Sequence, residues 1–370
     1  VKRAYKLREG ARDLDIKPLR DLIDQSFEGI CYRTIAPGSH MRRQPPKLIT
    51  GAKPSEFDDW FFSDNWVPEV GLYNLANIHL LGDCVLFRSN AILSIPENGI
   101  HEESIRNVIT AGFGRGQQVL RIDEEVVLLC GPAYQMYGHW LLDFLPRLFC
   151  LVASGYELTK LRYLLPIDLS AVARHWLAAL GIISGQIIFY DKIAQQCAVS
   201  RAMIPTNLRG SSLANPLLAD AFGHFKTLIQ PIKPASCHRK IFVSRMRWAN
   251  MTRRCRNAYE VQAFFAGRGF EIVYPEMLSI PDQIELFSQT SVIAGEYGTG
   301  LHSAVFAPPS AKVIALRANH AHPAFLQSGL CDVLGQDCSY VFGRTALENG
   351  NQVFTIDLAD VAACLDHELI

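Results

Sequence analysis

No stretch of this 370-residue chain approaches the ~20 consecutive apolar residues that a helix needs to cross a bilayer. No signal-peptide pattern opens it. The first residue is Val1 rather than Met, so a removed leader stays open. An excess of one charge is also missing: 36 Lys plus Arg balance 36 Asp plus Glu, for a formal net charge of zero. No global field therefore favours nucleic acid or an acidic membrane surface, and an anionic ligand must be held by local groups. The ten cysteines are scattered without a CxxC pair. A chain of this size needs no disulfide scaffold, so they read as reduced thiols in a cytoplasmic protein. The chain has no internal repeat, no low-complexity tract and no GxSxG nucleophile elbow. Asn250-Met-Thr252 is a lone sequon, as chance alone supplies.

What is present is an ordinary globular composition, 49% hydrophobic and 19% charged, which excludes disorder. The length favours two domains. The segment Lys2 to Ile23 mixes bases and acids around Leu7, Leu14, Leu19 and Leu22. It reads as a solvated helix, with a membrane-surface helix as the alternative. Up to about residue 110 the pattern is hard to read. Short strands are expected at His79–Leu81 and Cys84–Phe87, and a packed aromatic loop from Phe57 to Trp66.

From about residue 119 strands and helices alternate. Strands are expected at 125–130, 162–165, 186–190 and 197–204, with helices at 138–155, bent by Pro146, and 171–180, closed by Gly181. Prolines 205, 216, 231 and 234 mark a junction with one helix, Leu217 to Ile229. A second alternating block follows: strands 240–243, 270–274, 291–294 and 312–316, helices 259–266 and 280–288, and a short helix 300–306. Such alternation predicts an α/β protein built of parallel sheets covered on both faces. Ligands of such sheets sit at the carboxyl ends of strands. Two blocks in tandem predict two Rossmann-like domains facing a cleft. The division expected is residues 1–210, residues 211–345, and a tail, 346–370, packing back on the first domain.

Three segments carry chemistry. In Tyr137-Gly-His-Trp-Leu-Leu-Asp-Phe-Leu-Pro-Arg147, residues His139, Asp143 and Arg147 recur every four positions and share one helix face. Ionisable groups on an apolar helix are paired or used. Asp143 is therefore either a general base or the partner of Arg147 in a structural ion pair. The second segment is Ser244-Arg245 at the end of a strand, followed by Arg247, Arg253, Arg254 and Arg256. Arginine offers planar bidentate donors to phosphate. The third is Gly295-Glu-Tyr-Gly-Thr-Gly-Leu-His302, a strand running into a Gly-rich turn and a helix start, where a diphosphate fits. A dinucleotide fingerprint fits less well, because Ser303 replaces its third glycine and the turn follows a late strand. The metal candidates Asp13-Leu-Asp15, Asp58-Asp59 and His320-Ala-His322 lack residues that complete a ligand set.

These segments resemble the motifs of glycosyltransferase family 61. The first is similar to its HWxxDxLPR signature. Val243-Ser-Arg245 with Arg253 and Asn257 resembles its strand-ending SR motif, and Gly295 to Leu301 resembles its GxHGAGL turn. The resemblance runs from about residue 120 to the end. It implies a GT-B fold and inverting, metal-independent transfer from a nucleotide sugar, commonly a UDP sugar, with no further cofactor. It further implies Asp143 as base, with His139 and Glu296 as reserves. The donor site would be Ser244, Arg245, Arg253, Tyr297, Gly298, Thr299, Gly300, Leu301 and His302, with Arg147 and Trp140 serving the acceptor or the structure. The partners implied are a nucleotide-sugar donor and an oligosaccharide or glycolipid acceptor. The bacterial polysaccharide-assembly (capsule) branch, at the inner face of the membrane, is the one it resembles. The chain departs from the pattern at Tyr297, where many members have His, and at Ala258, which replaces an acid. Its arginine loop is about two residues longer than usual. A Rossmann oxidoreductase and a catalytically inactive glycan-binding relative are the alternatives.

Overall fold

The computed structural model describes residues 15–24, 28–88, 91–112, 118–129, 131–229, 238–247, 253–320, 324–348 and 351–368. The segment before Asp15, Cys130, Pro231, Pro234, the Asn250–Thr252 sequon and His322 lie outside the described residues, as do the side chains of Asp24, Arg253 and Asn351. The chain is mixed α/β and divides into two compact units, Val1–Gly38 with Pro68–Leu208, and Ser39–Val67 with Arg209–Ile370.

The first unit is built on a nine-stranded sheet. Half of it is the parallel block that the alternation predicts: Gln195–Pro205, Gln118–Leu128, Tyr163–Pro166 and Ile187–Tyr190 run side by side in that order. All four residues of Tyr163–Pro166 are buried, as expected of a strand covered on both faces. The rest is antiparallel except for Ile16–Pro18, which runs parallel to Ala91–Ser94, and the sequence did not reveal this arrangement. Val70–Leu81 pairs with Gln195–Pro205 and with Ile30–Ala36, then turns at Gly82 into Val85–Arg88 and Ala91–Ser94. Helix Glu102–Ala111 turns Ile105, Val108 and Ile109, its i, i+3 and i+4 positions, onto the core of Leu80, Leu86 and Leu93.

The second unit has an eight-stranded sheet in the order Arg253–Cys255, Asn351–Thr355, Asp337–Glu348, Lys312–Ala318, Thr290–Glu296, Arg239–Val243, Glu271–Val273. The last five of these are parallel neighbours. Helix Ile280–Ser288 starts where Ser279 accepts a hydrogen bond from the Asp282 amide and Pro281 fixes the first turn.

Three expectations are corrected here. The segment 39–67 lies in the second unit rather than the first, because Ile49–Gly51 adds a parallel strand beside Tyr340–Phe342. Buried Arg43 ties it down, donating to the Phe61 and Phe325 carbonyls at 3.1 and 2.6 Å and to Ser328 Oγ at 3.0 Å. The aromatic cluster contains helix Phe57–Phe62, not only loop, and its Phe57 and Phe61 rings pack on Phe325 at 5.0 and 5.4 Å. The tail is part of the second unit: helix Leu358–Glu368 buries Val361, Cys364 and Leu365 in the core formed with Phe242 and Val341.

Asp332 gives this packing a pH signature. Burial pushes its carboxyl up from 3.8 to about 6, against the pull of Arg43. The native state therefore keeps a proton there that the unfolded chain releases. The stability this contributes is full below about pH 3.8 and is lost as pH rises through about 6. Asp332→Asn is expected to remove that slope and to raise Tm at neutral pH by about 2–4 °C. Thermal melts of both proteins at a series of pH values check this. An unchanged difference across the series would refute it.

Candidate active site

The approach to the first motif is fixed by groups at the carboxyl ends of the parallel strands of the first unit. Tyr134 donates to Asp168, Gln135 Nε2 donates to Asp168 Oδ2 at 2.7 Å, and Lys192 Nζ reaches Asp168 at 3.0 Å and Tyr134 Oη at 2.7 Å. Burial pushes the Asp168 carboxyl up, but hydrogen bonds from Tyr134 and Lys192 outweigh it and hold the group below its ordinary value. The network joins the loops after Leu128, Pro166 and Tyr190, and so anchors the chain as it enters Tyr137.

The expected bent helix is three segments. Tyr137–His139 is α, Trp140–Phe144 is a π-turn, and Arg147–Ala153 is α again. Pro146 has no N–H to return to residue 142, and its ring crowds that carbonyl. The ladder widens just before it, with the Leu145 amide bonding Trp140 O at 2.9 Å. His139 and Asp143 still meet across this wider turn. Nδ1 of His139 lies 2.6 Å from Asp143 Oδ2. The carboxylate accepts, so Nδ1 carries the proton and Nε2 is left as the proton acceptor. The His139 side chain is 42% exposed and that of Asp143 9% exposed.

Arg147 is buried, and its Nε donates to Asn207 Oδ1 at 2.6 Å while the guanidinium lies over the Phe144 ring. Asn207 is in turn held by Asn98. Trp140 is fully buried and stacks on Phe144 with ring centroids 5.6 Å apart. Both side chains therefore serve the interior, and the acceptor role considered for them has no exposed surface to act through.

In the second unit, Ser244 and Arg245 follow Val243 at the end of its strand, and the Gly-rich turn follows the neighbouring strand Thr290–Glu296. The Ser244 hydroxyl donates to Gln262 at 2.7 Å and accepts from the Met246 amide at 3.2 Å, which closes the strand end. The Arg245 guanidinium lies along the turn. Its Nη1 donates to Tyr297 O at 3.4 Å, and a Cβ on Gly298 would come within 3.2 Å of that nitrogen. A Cβ on Gly300 would meet Val243 Cγ1 at 3.2 Å, so both glycines leave room where side chains would crowd. Thr299 is exposed.

Three of the expected donor residues turn inward. The Tyr297 hydroxyl donates to Ala324 O and accepts from the Leu326 amide at 2.9 Å, ordering the start of helix Leu326–Leu334. His302 is buried with Nδ1 2.9 Å from Gln327 Oε1, which only accepts, so Nδ1 carries the proton. Leu301 is fully buried. The short helix expected after the turn is present as the 3₁₀ helix Leu301–Phe306. So short an element aligns few peptide dipoles, and Arg245 supplies positive charge along the turn. Glu296 is 2% exposed; burial pushes its carboxyl up while Arg245 pulls it down, with the net shift upward. Arg253 lies in a strand paired with Gln352, and its side chain is outside the described residues.

Residues 137–314 match the family model for glycosyltransferase 61. Over that segment, just under half of its length, the chain is similar to glycosyltransferase 61. It is a glycosyltransferase, and the oxidoreductase alternative is set aside. The matched segment begins at Tyr137, the first residue of the His139 motif, and extends past the Gly-rich turn. No curated protein matches this sequence.

In this glycosyltransferase the Asn257 of the second motif is a clamp: its side chain donates to Ile356 O at 2.7 Å and accepts from Ile356 N at 3.1 Å. Sequence reasoning missed the Tyr134, Asp168 and Lys192 network and the Asn207 partner of Arg147. Asp168 and Lys192 lie within three residues of expected strand ends, which was the available signal. Asp58 of the acidic pair bonds Lys53 at 3.3 Å, and Asp15 bonds Lys17 at 3.3 Å. Asp13 and His322 lie outside the described residues. No helix among the described residues is long and apolar enough to cross a membrane. The eight cysteines among the described residues are free.

Proposed function

We propose that this glycosyltransferase transfers a sugar with inversion, in one displacement, from a nucleotide sugar to a glycan acceptor, with His139 as the general base. The observation that carries this reading is the 2.6 Å pair of exposed His139 with buried Asp143. Asp143 holds the imidazole in the tautomer whose Nε2 accepts a proton and offsets the charge that results. This moves Asp143 from first-choice base to orienting residue. As the acceptor oxygen bonds to the anomeric carbon, its proton passes to Nε2. The bond from that carbon to the phosphate oxygen breaks, and the diphosphate leaves with the electron pair. Arg245 and the amides of the Gly298–Gly300 turn would stabilise it by fixed electrostatics, without a metal. The GT-B architecture that the motif resemblance implies is part of this proposal.

A UDP sugar as donor, and a bacterial polysaccharide-assembly role at the cytoplasmic face of a membrane, follow from the motif resemblance and belong to the same proposal. A thermal-shift panel of nucleotide sugars, followed by a transfer assay with the best stabiliser in EDTA, tests it. The expected result is one nucleotide sugar that raises Tm and turns over, with product of opposite anomeric configuration. Retention of configuration, or turnover abolished by EDTA, would overturn the mechanism.

A further inference from the structure

His139 stands on a helical turn of only three residues, Tyr137–His139, with the π-turn on its far side. One turn cannot hold itself, because nucleating a helix fixes several residues for a single hydrogen bond. Its place is therefore set by the loop that feeds it. That loop, 131–136, is bent twice. Gly131 takes a φ of 143° and donates to Asp83 O at 2.9 Å. Ala133 takes a φ of 64°, the left-handed region that a residue with a Cβ disfavours. The backbone passes this bend on. The Met136 amide donates to Ala133 O at 2.9 Å, and the Trp140 amide to Met136 O at 2.8 Å, across the turn that carries His139. The two side chains after Ala133 hold the bend from outside. Buried Tyr134 and exposed Gln135 both donate to the Asp168 carboxylate, and Gln135 Nε2 also reaches the Asp168 carbonyl at 3.2 Å. Asp168 is itself fixed: Lys192 Nζ lies 3.0 Å from its carboxylate, and the Ile167 amide before it donates to Tyr190 O at 2.8 Å. Backbone strain persists only where surrounding structure over-determines it, and here both side-chain links end on one carboxylate.

We propose that Asp168 is a positioning residue for the reaction: through Tyr134 and Gln135 it holds Ala133 in the left-handed conformation and so keeps the His139 imidazole on Asp143. This rests on the reading that His139 is the base. Without the carboxylate, Ala133 relaxes, the short turn shifts and Nδ1 leaves its 2.6 Å contact with Asp143. Glycine adopts a positive φ at no steric cost, so Ala133→Gly removes the need for the clamp. A residue that only stabilised the fold would show no such dependence on position 133.

Steady-state kinetics of the full chain with the nucleotide sugar that the thermal-shift panel selects, and NMR of the histidine ring nitrogens, test this in Asp168→Asn, Ala133→Gly and the double variant. His139→Gln assigns the His139 signals. Asp168→Asn is expected to lower kcat by about 10–100-fold and to leave KM for the donor within about twofold, the pattern of a displaced catalytic group. Its His139 ring is expected to change from the single Nδ1–H tautomer to a mixture. Ala133→Gly alone is expected to stay within about twofold of the wild-type kcat; added to Asp168→Asn, it is expected to restore kcat to within about threefold and to restore the single tautomer. Tyr134→Phe removes one of the two links and is expected to act in the same direction as Asp168→Asn; it serves should that variant fail to fold by circular dichroism. The proposal is overturned if folded Asp168→Asn keeps its kcat or its tautomer, if KM rises in step with the fall in kcat, or if the double variant is no better than Asp168→Asn. Should His139→Gln keep full turnover, the base assignment falls, and the ring spectra still decide whether Asp168 holds the imidazole.

Discussion

His139→Gln is expected to lower turnover by about 10²–10⁴-fold while leaving donor affinity unchanged. The substitution removes the only nitrogen of the His139–Asp143 pair positioned to accept a proton. Glutamine keeps a donor toward Asp143, whose carboxylate is 2.6 Å from Nδ1 in the native protein, so the buried acid is not left bare. Asp143→Asn is expected to cost about 100-fold or more, because an amide no longer fixes the imidazole tautomer. The double variant should be little worse than the more damaged single one, since the two residues act as a unit. Steady-state kinetics with circular dichroism as a fold control provide the measurement. If His139→Gln keeps most activity while Asp143→Asn loses it, Asp143 is the base and the assignment reverses. If a folded Asp143→Asn is fully active, the pair is structural.

Arg245→Gln is expected to weaken binding of UDP and of pyrophosphate alike by about 10- to 150-fold, the equivalent of one charge-assisted hydrogen bond of about 1.5–3 kcal/mol. Arg245→Lys should recover only part of this, because an ammonium does not reproduce the planar fork. The fold should survive either change, since Arg245 is only partly buried and its one bond to Tyr297 O is long, at 3.4 Å. Gly298→Val should act through the same residue by pushing the guanidinium off the turn, where even a Cβ comes within 3.2 Å of it. Calorimetric titration reads all three. Undiminished pyrophosphate binding by Arg245→Gln would place the diphosphate elsewhere.

The parts of the fold legible in the sequence are those whose signal is local. Helix Ile280–Ser288 has the bounds read from the sequence, and its start is set locally by the Ser279 cap and Pro281. The strands around Ile241 and Ile293 declared themselves as short apolar runs that only a doubly covered parallel strand tolerates. In the first 110 residues such a signal marked the short strands at 79–81 and 84–87, which fall in Val70–Leu81 and Val85–Arg88, but little else. Val70–Leu81 contains Asn74, Asn77 and His79, and Asn77 takes a positive φ of 54°. Its length as a strand comes from pairing on both sides, with Ile30–Ala36 and Gln195–Pro205. The segment 39–67 is placed by Arg43, whose partners Phe325 and Ser328 lie 282 and 285 positions away. No window of sequence contains such a contact.

The same division holds for the site. The chain's own pattern determined the α/β class, the four-residue spacing that brings His139 to Asp143, and the family motifs, since each depends on periodicity or on neighbours within a turn or two. Only tertiary structure decided that Asp143 is covered and His139 open, that Arg147 answers to Asn207, and that Tyr297 and His302 face the interior while Arg245 lies along the glycines. The physical reason is that a residue's chemistry is set by its type, but its access to water, protons and ligand is set by whichever distant segments pack over it.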